Sequence, residues 1–163
     1  PLESGADLPL FRGNFTAQPD RSRIAGADDV LAAVRAANPQ IVDARSAGRF
    51  EGRDPEPRPG LRPGHMPGAR NLPFGRLLAD GRYRPVEDLR AEFGAAGVDL
   101  ARPVIATCGS GVTACIVALA AELAGIAEVA VYDGSWADWG REGFPELLVE
   151  TGSSGFERGH FNS

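Results

Sequence analysis

Residues 103–107 (Pro-Val-Ile-Ala-Thr) lead straight into Cys108-Gly109-Ser110-Gly111, and from there into an almost wholly apolar stretch, 112–124. A strand that is apolar on both faces has no solvent side, and a helix that is apolar all round must be buried. Joined by a tight glycine turn, the two fit a parallel sheet covered by helices on each face. The rest of the chain repeats the alternation. Residues 27–37 have an acidic first turn and apolar residues at helical spacing, ended by Asn38-Pro39. A short buried strand is expected over 41–44, a helical turn over 46–50 and a second short strand over 69–73. An amphipathic helix is expected over 86–95, ending at Gly97, then another buried strand over 129–132 and a short helix over 136–139. Between residues 55 and 67 five prolines fix a long loop, because each restricts its own φ and the conformation of its predecessor. The fold class is therefore α/β: one domain over 24–150, with a mainly parallel sheet and helices on both faces. Residues 1–23 read as an arm or linker and 151–163 as a flexible tail.

All 17 basic residues are arginine. Without lysine there is no Schiff-base chemistry, no P-loop and no protein-kinase ion pair. The net charge of −5 argues against nucleic acid as a partner. No run approaches the roughly 20 apolar residues of a membrane helix, so no membrane association is expected. The first residues have neither a charged n-region nor an apolar h-region. Two cysteines seven positions apart form no disulfide framework, which points to a reducing cytoplasm. His65 and His160 lack metal-ligand spacing relative to each other or to the cysteines, and no metal is expected.

Cys108 falls at the carboxyl end of a strand, facing the start of the next helix, where ligand sites of open α/β sheets lie. The N–H groups of Gly109, Ser110, Gly111, Val112 and Thr113 can form a cradle that favours a thiolate, assisted by the helix dipole. Glycines at 109 and 111 permit the close backbone approach this needs. Cys115, inside the helix among Ala and Ile, reads as a packing residue. A tyrosine-phosphatase loop would need an arginine six residues after its cysteine, and Ala114 stands there, so that chemistry is excluded.

The loop 108–114 resembles the active-site loop of the 3-mercaptopyruvate sulfurtransferases, within the rhodanese superfamily. The likeness extends from about residue 24 to 147. It takes in Val42-Asp43-Ala44-Arg45 with Gly48-Arg49-Phe50, Glu56-Pro57-Arg58-Pro59-Gly60, Gly64-His65-Met66-Pro67-Gly68-Ala69, and the segment from Tyr132 to Gly140. The resemblance implies a cofactor-free, two-step sulfur transfer. Cys108 takes sulfur from 3-mercaptopyruvate as a persulfide, pyruvate leaves, and a thiol such as thioredoxin, or cyanide, accepts the sulfur. It assigns the donor's carboxylate to Arg49 and Arg58. Thiosulfate-using relatives carry basic loop side chains where this chain has neutral Gly109 and Ser110, which favours a singly charged donor. Asp43 and Arg45 read as a structural pair, and His65 as structural. Ser110 is implied as the serine of a Ser-His-Asp relay whose other members belong to a preceding rhodanese-like domain, expected here as a missing partner. The alternatives are thiosulfate:cyanide sulfurtransfer and a persulfide carrier without turnover of its own.

Overall fold

Residues 40–43 and 104–107 are buried at every position, which only an interior strand allows. In the computed structural model, which describes residues 13–153, they lie side by side in a five-stranded parallel sheet. The strands are β1 (Ile24–Ala25), β2 (Gln40–Asp43), β3 (Arg70–Asn71), β6 (Val104–Thr107) and β7 (Val129–Tyr132), in the order β1-β7-β6-β2-β3. A separate small hairpin, β4 (Leu78–Ala79) with β5 (Arg82–Tyr83), follows a 3-10 turn at Phe74–Leu77. The expected α/β class holds. The hairpin and the two-residue strand β1 have no counterpart in the sequence reading, because pairs of residues carry no periodicity.

The helices are α1 (Ala27–Ala36), α2 (Ala47–Phe50), α3 (Val86–Ala95), α4 (Val112–Ala124) and α5 (Ser135–Trp139). Alternate strand residues feed two cores. Val42, Val104, Ala106 and Val129 pack with Leu89 and Phe93 of α3 and Val117 and Ala121 of α4. Ile41, Ile105 and Tyr132 pack on the other face with Val30 and Ala33 of α1 and Trp136 and Trp139 of α5. Each fully buried Val, Leu, Ile or Phe side chain here contributes roughly 1.5–3 kcal/mol. Short helices need local support, and α1 has it: Asp29 accepts the Gly26 N–H at 2.8 Å.

The proline-rich loop is tied down at several points. Arg62 donates its N–H to Gly140 O at 2.7 Å, and the Trp136 indole N–H donates to Arg62 O at 2.9 Å. His65 pairs with Glu150 through two backbone bonds of 2.8 and 2.9 Å. Most of the expected N-terminal arm (residues 1–12) and of the expected tail (residues 154–163) lies outside the described residues.

Candidate active site

Cys108 follows β6, the central strand, and the chain must turn at once to begin α4. Gly111 makes that turn at φ +84°. A Cβ there would lie 2.7 Å from the Asp133 carbonyl oxygen, so both backbone conformation and space demand glycine. The start of α5 braces the loop from the opposite side. The Trp136 N–H donates to Cys108 O and the Ala137 N–H to Gly109 O, both at 2.9 Å.

Cys108 is 2 % exposed. Burial pushes its thiol pKa up, because a thiolate is poorly solvated there. Four donors act against burial and together outweigh it: the Thr113 hydroxyl, the N–H groups of Ser110 and Ala114, and the Ser135 hydroxyl. The thiol is held below its ordinary value, the condition for a nucleophilic cysteine. Ser135 also fixes the backbone. Its Oγ accepts the Cys108 N–H at 3.0 Å, donates to Tyr132 O at 2.8 Å and lies 3.9 Å from Cys108 Sγ. Ser135 is fully buried with φ +49°, a left-handed conformation unusual for a non-glycine residue.

A chain of buried charges runs from the end of β2 to this loop. Arg45 donates from Nη2 to Asp43 Oδ2 at 2.7 Å, from Nη2 to Gly64 O at 2.8 Å and from Nη1 to Glu56 Oε1 at 2.8 Å. Its guanidinium carbon sits 4.3 Å from the centre of the Trp136 ring. Glu56 in turn takes Arg49, with Nη2 to Oε2 at 2.6 Å and Nε to Oε1 at 3.2 Å. Arg49 lies over the cysteine loop: a Cβ on Gly109 would be 2.9 Å from its Nη2 and 3.6 Å from its Nη1. Two features of α2 hold Arg49 there. Gly48 leaves no room for a side chain beside Asp54, and the Arg53 and Asp54 N–H groups fold back onto Gly48 O at 2.9 and 3.0 Å. Phe50 is fully buried, stacked on His65 with ring centroids 3.7 Å apart.

The structure thus brings Cys108, Ser110, Thr113 and Arg49 together. Among the residues expected to form the cradle, Ser110 through its N–H and Thr113 through its hydroxyl help lower the Cys108 pKa, as does the Ala114 N–H. Gly109 and Gly111 supply room and turn geometry, and Val112 is exposed. The Ser110 residue itself is exposed. Arg58 is exposed on the proline-rich loop and forms no hydrogen bond or ion pair with a described residue. Asp43 and Arg45 are the structural pair anticipated from the sequence. His65 is buried with Nδ1 2.8 Å from Phe50 O, a packing role. The placing of Cys115 needs correction. It is exposed, its thiol 3.5 Å from Gly111 O, because α4 turns one apolar edge to solvent. Sequence reasoning missed Ser135, the Thr113 hydroxyl and Glu56. A usable signal existed for Ser135: residues that follow β7 must approach those that follow its parallel neighbour β6. Among the described residues no cluster of His, Cys, Asp or Glu could hold a metal ion.

Comparison with known proteins finds relatives that match most of the chain. The model of the rhodanese-like domain matches residues 26–142. The 3-mercaptopyruvate sulfurtransferase of Rattus norvegicus is 46% identical over 153 residues, covering 93% of this chain and 51% of that protein. The thiosulfate sulfurtransferase of Cricetulus griseus is 47% identical over 143 residues, covering 86% of this chain and 48% of its own length. The crystal structure of SseA from Escherichia coli, a 3-mercaptopyruvate sulfotransferase, aligns with a TM-score of 0.70 and 40% identity over 82% of this chain and 49% of that one. The chain spans about half the length of the curated relatives it matches.

Proposed function

The chain belongs to the rhodanese family, and from that premise we propose that it moves sulfur from 3-mercaptopyruvate to a thiol acceptor through Cys108. The Cys108 thiolate attacks the donor's sulfur. An S–S bond forms, the donor's C–S bond breaks, and its electron pair leaves with the pyruvate enolate, which takes a proton from water. Cys108 is left as a persulfide. An acceptor thiolate then attacks the outer sulfur, and the Cys108 thiolate returns. Thiolate and persulfide are both anions at one place, so a single set of donors serves both half-reactions.

The observation that carries this reading is the buried Cys108 thiol, which four donors hold below its ordinary pKa. Arg49 beside Gly109 supports recognition of a carboxylate, and the neutral side of the loop at Gly109 and Ser110 supports a singly charged donor. Arg58, unengaged by described residues, serves as the second cation of the donor site. Ser110 contributes its N–H to lowering the Cys108 pKa, and its exposed hydroxyl is free to meet relay partners supplied by a second rhodanese-like domain. A thioredoxin-like thiol fits as acceptor, and a reducing compartment such as the cytoplasm keeps both thiols competent. No helix among the described residues is long and apolar enough to cross a membrane.

A second reading, with thiosulfate as donor, has support from the hamster relative. Steady-state rates with cyanide as acceptor separate the two. Mercaptopyruvate should give the higher kcat/KM, and a clear preference for thiosulfate would overturn the assignment of the donor.

A further inference from the structure

We propose that Glu56 is the specificity-determining residue of this site, setting the positive charge that the Cys108 loop offers to an incoming anion. The proposal deepens the sulfurtransferase reading and rests on its placing of an anionic donor beside Cys108. Glu56 bonds to Arg45 and Arg49 and not to the Cys108 loop, so it acts through Arg49.

The Glu56 side chain is 2 % exposed, and both of its oxygens are engaged by arginines. On one side stands Arg45, itself fixed by Asp43, by Gly64 O and by the face of Trp136, so it cannot follow a ligand. On the other stands Arg49, which gives Glu56 its Nε and Nη2. Arg49 Nη1 donates to no described residue, and Nη1 and Nη2 are the two nitrogens nearest the Gly109 position. The formal charges of Asp43, Arg45, Glu56 and Arg49 cancel. An anion arriving at the loop therefore meets an oriented guanidinium edge with no net charge behind it. One carboxylate can take the free edge. A dianion faces Glu56 as a like charge, and within this group of four no surplus cation offsets it. In a chain without lysine, no loop side chain restores the balance. Glu56→Gln keeps the shape and one acceptor oxygen while releasing one unit of positive charge.

Alkylation of Cys108 by iodoacetate, an anion, and by neutral iodoacetamide reads that charge directly, whether or not sulfur is transferred. The full chain is used with Cys115→Ser, so that the exposed thiol does not contribute. The ratio of the two rates cancels the thiolate fraction, which both reagents share. Glu56→Gln should raise the iodoacetate-to-iodoacetamide ratio by about tenfold. Arg49→Gln, at a side chain that is 26% exposed, should lower it. Loosening of the loop alone would speed or slow both reagents alike. The thiosulfate-to-mercaptopyruvate ratio of kcat/KM should rise in Glu56→Gln with the alkylation ratio. An unchanged alkylation ratio in Glu56→Gln, or shifts of the same sign in both variants, overturns the proposal. Should Glu56→Gln not fold, an unchanged ratio in Arg49→Gln overturns it and a fall sustains it. If the alkylation ratios move as described but neither donor loads sulfur on the wild-type chain, the role of Glu56 stands and the sulfurtransferase reading falls.

Discussion

Ser135 carries two tasks at one oxygen, accepting the Cys108 N–H and turning its single proton either to Tyr132 O at 2.8 Å or to Cys108 Sγ at 3.9 Å. Losing it removes a donor to the thiolate and leaves the Cys108 N–H unpaired in a buried place. Ser135→Ala should therefore move the midpoint of Cys108 alkylation to higher pH and slow alkylation at neutral pH by about tenfold. An unchanged pH profile would mean that the Ser110 and Ala114 N–H groups and the Thr113 hydroxyl suffice. Gly111 is constrained differently, by φ +84° and by the Asp133 carbonyl. Gly111→Ala should cost about 1–3 kcal/mol of stability in urea titrations as well as activity. Cys108 and the two loop glycines were legible in the sequence because their chemistry is local. Ser135 and Glu56 were not, since one lies 27 positions from Cys108 and the other acts through arginines that only the fold assembles. Cys115 misled for another reason. Its neighbours Ala114 and Ile116 are apolar, but burial depends on the side of the helix, and α4 leaves Val112, Leu119 and Leu123 exposed as well.

At the scale of elements, the run from β6 through the loop to α4 was readable almost to the residue, as were α3 and β7, because burial on both strand faces and helical spacing are strong patterns. β1, β4 and β5 are two residues each and owe their pairing to neighbours rather than to pattern. What keeps the elements in register at the site is the buried link from β2 to the proline-rich loop through Arg45. Removing one partner of a buried ion pair leaves the other uncompensated. Arg45→Met should lower unfolding stability by about 3–5 kcal/mol. A loss below about 1 kcal/mol in denaturant titrations would show that Trp136 packing and the backbone bonds carry that link instead.

For the whole molecule, the backbone pairing at His65 and Glu150 ties the segment after α5 to the proline-rich loop, and it has a titratable group at its centre. Burial lowers the His65 pKa, with the Phe50 carbonyl bond and the Glu150 carboxylate opposing it. The unfolded chain therefore binds this proton more readily than the folded one, so stability is full above the ordinary histidine value and falls as pH drops below it. Thermal melting should decline between about pH 7 and pH 5, and His65→Asn should flatten that decline. An equal decline in the variant would assign the effect to carboxylates. The chain spans about half the length of its curated relatives, and the proposed sulfur-accepting step places the new bond on Cys108. Intact mass after exposure to 3-mercaptopyruvate, followed by peptide mapping, tests it most directly. One added sulfur atom is expected, located on Cys108, removed by a thiol acceptor and absent in Cys108→Ser. No added mass on Cys108, or the same adduct on Cys115 in the Cys108→Ser variant, would contradict it.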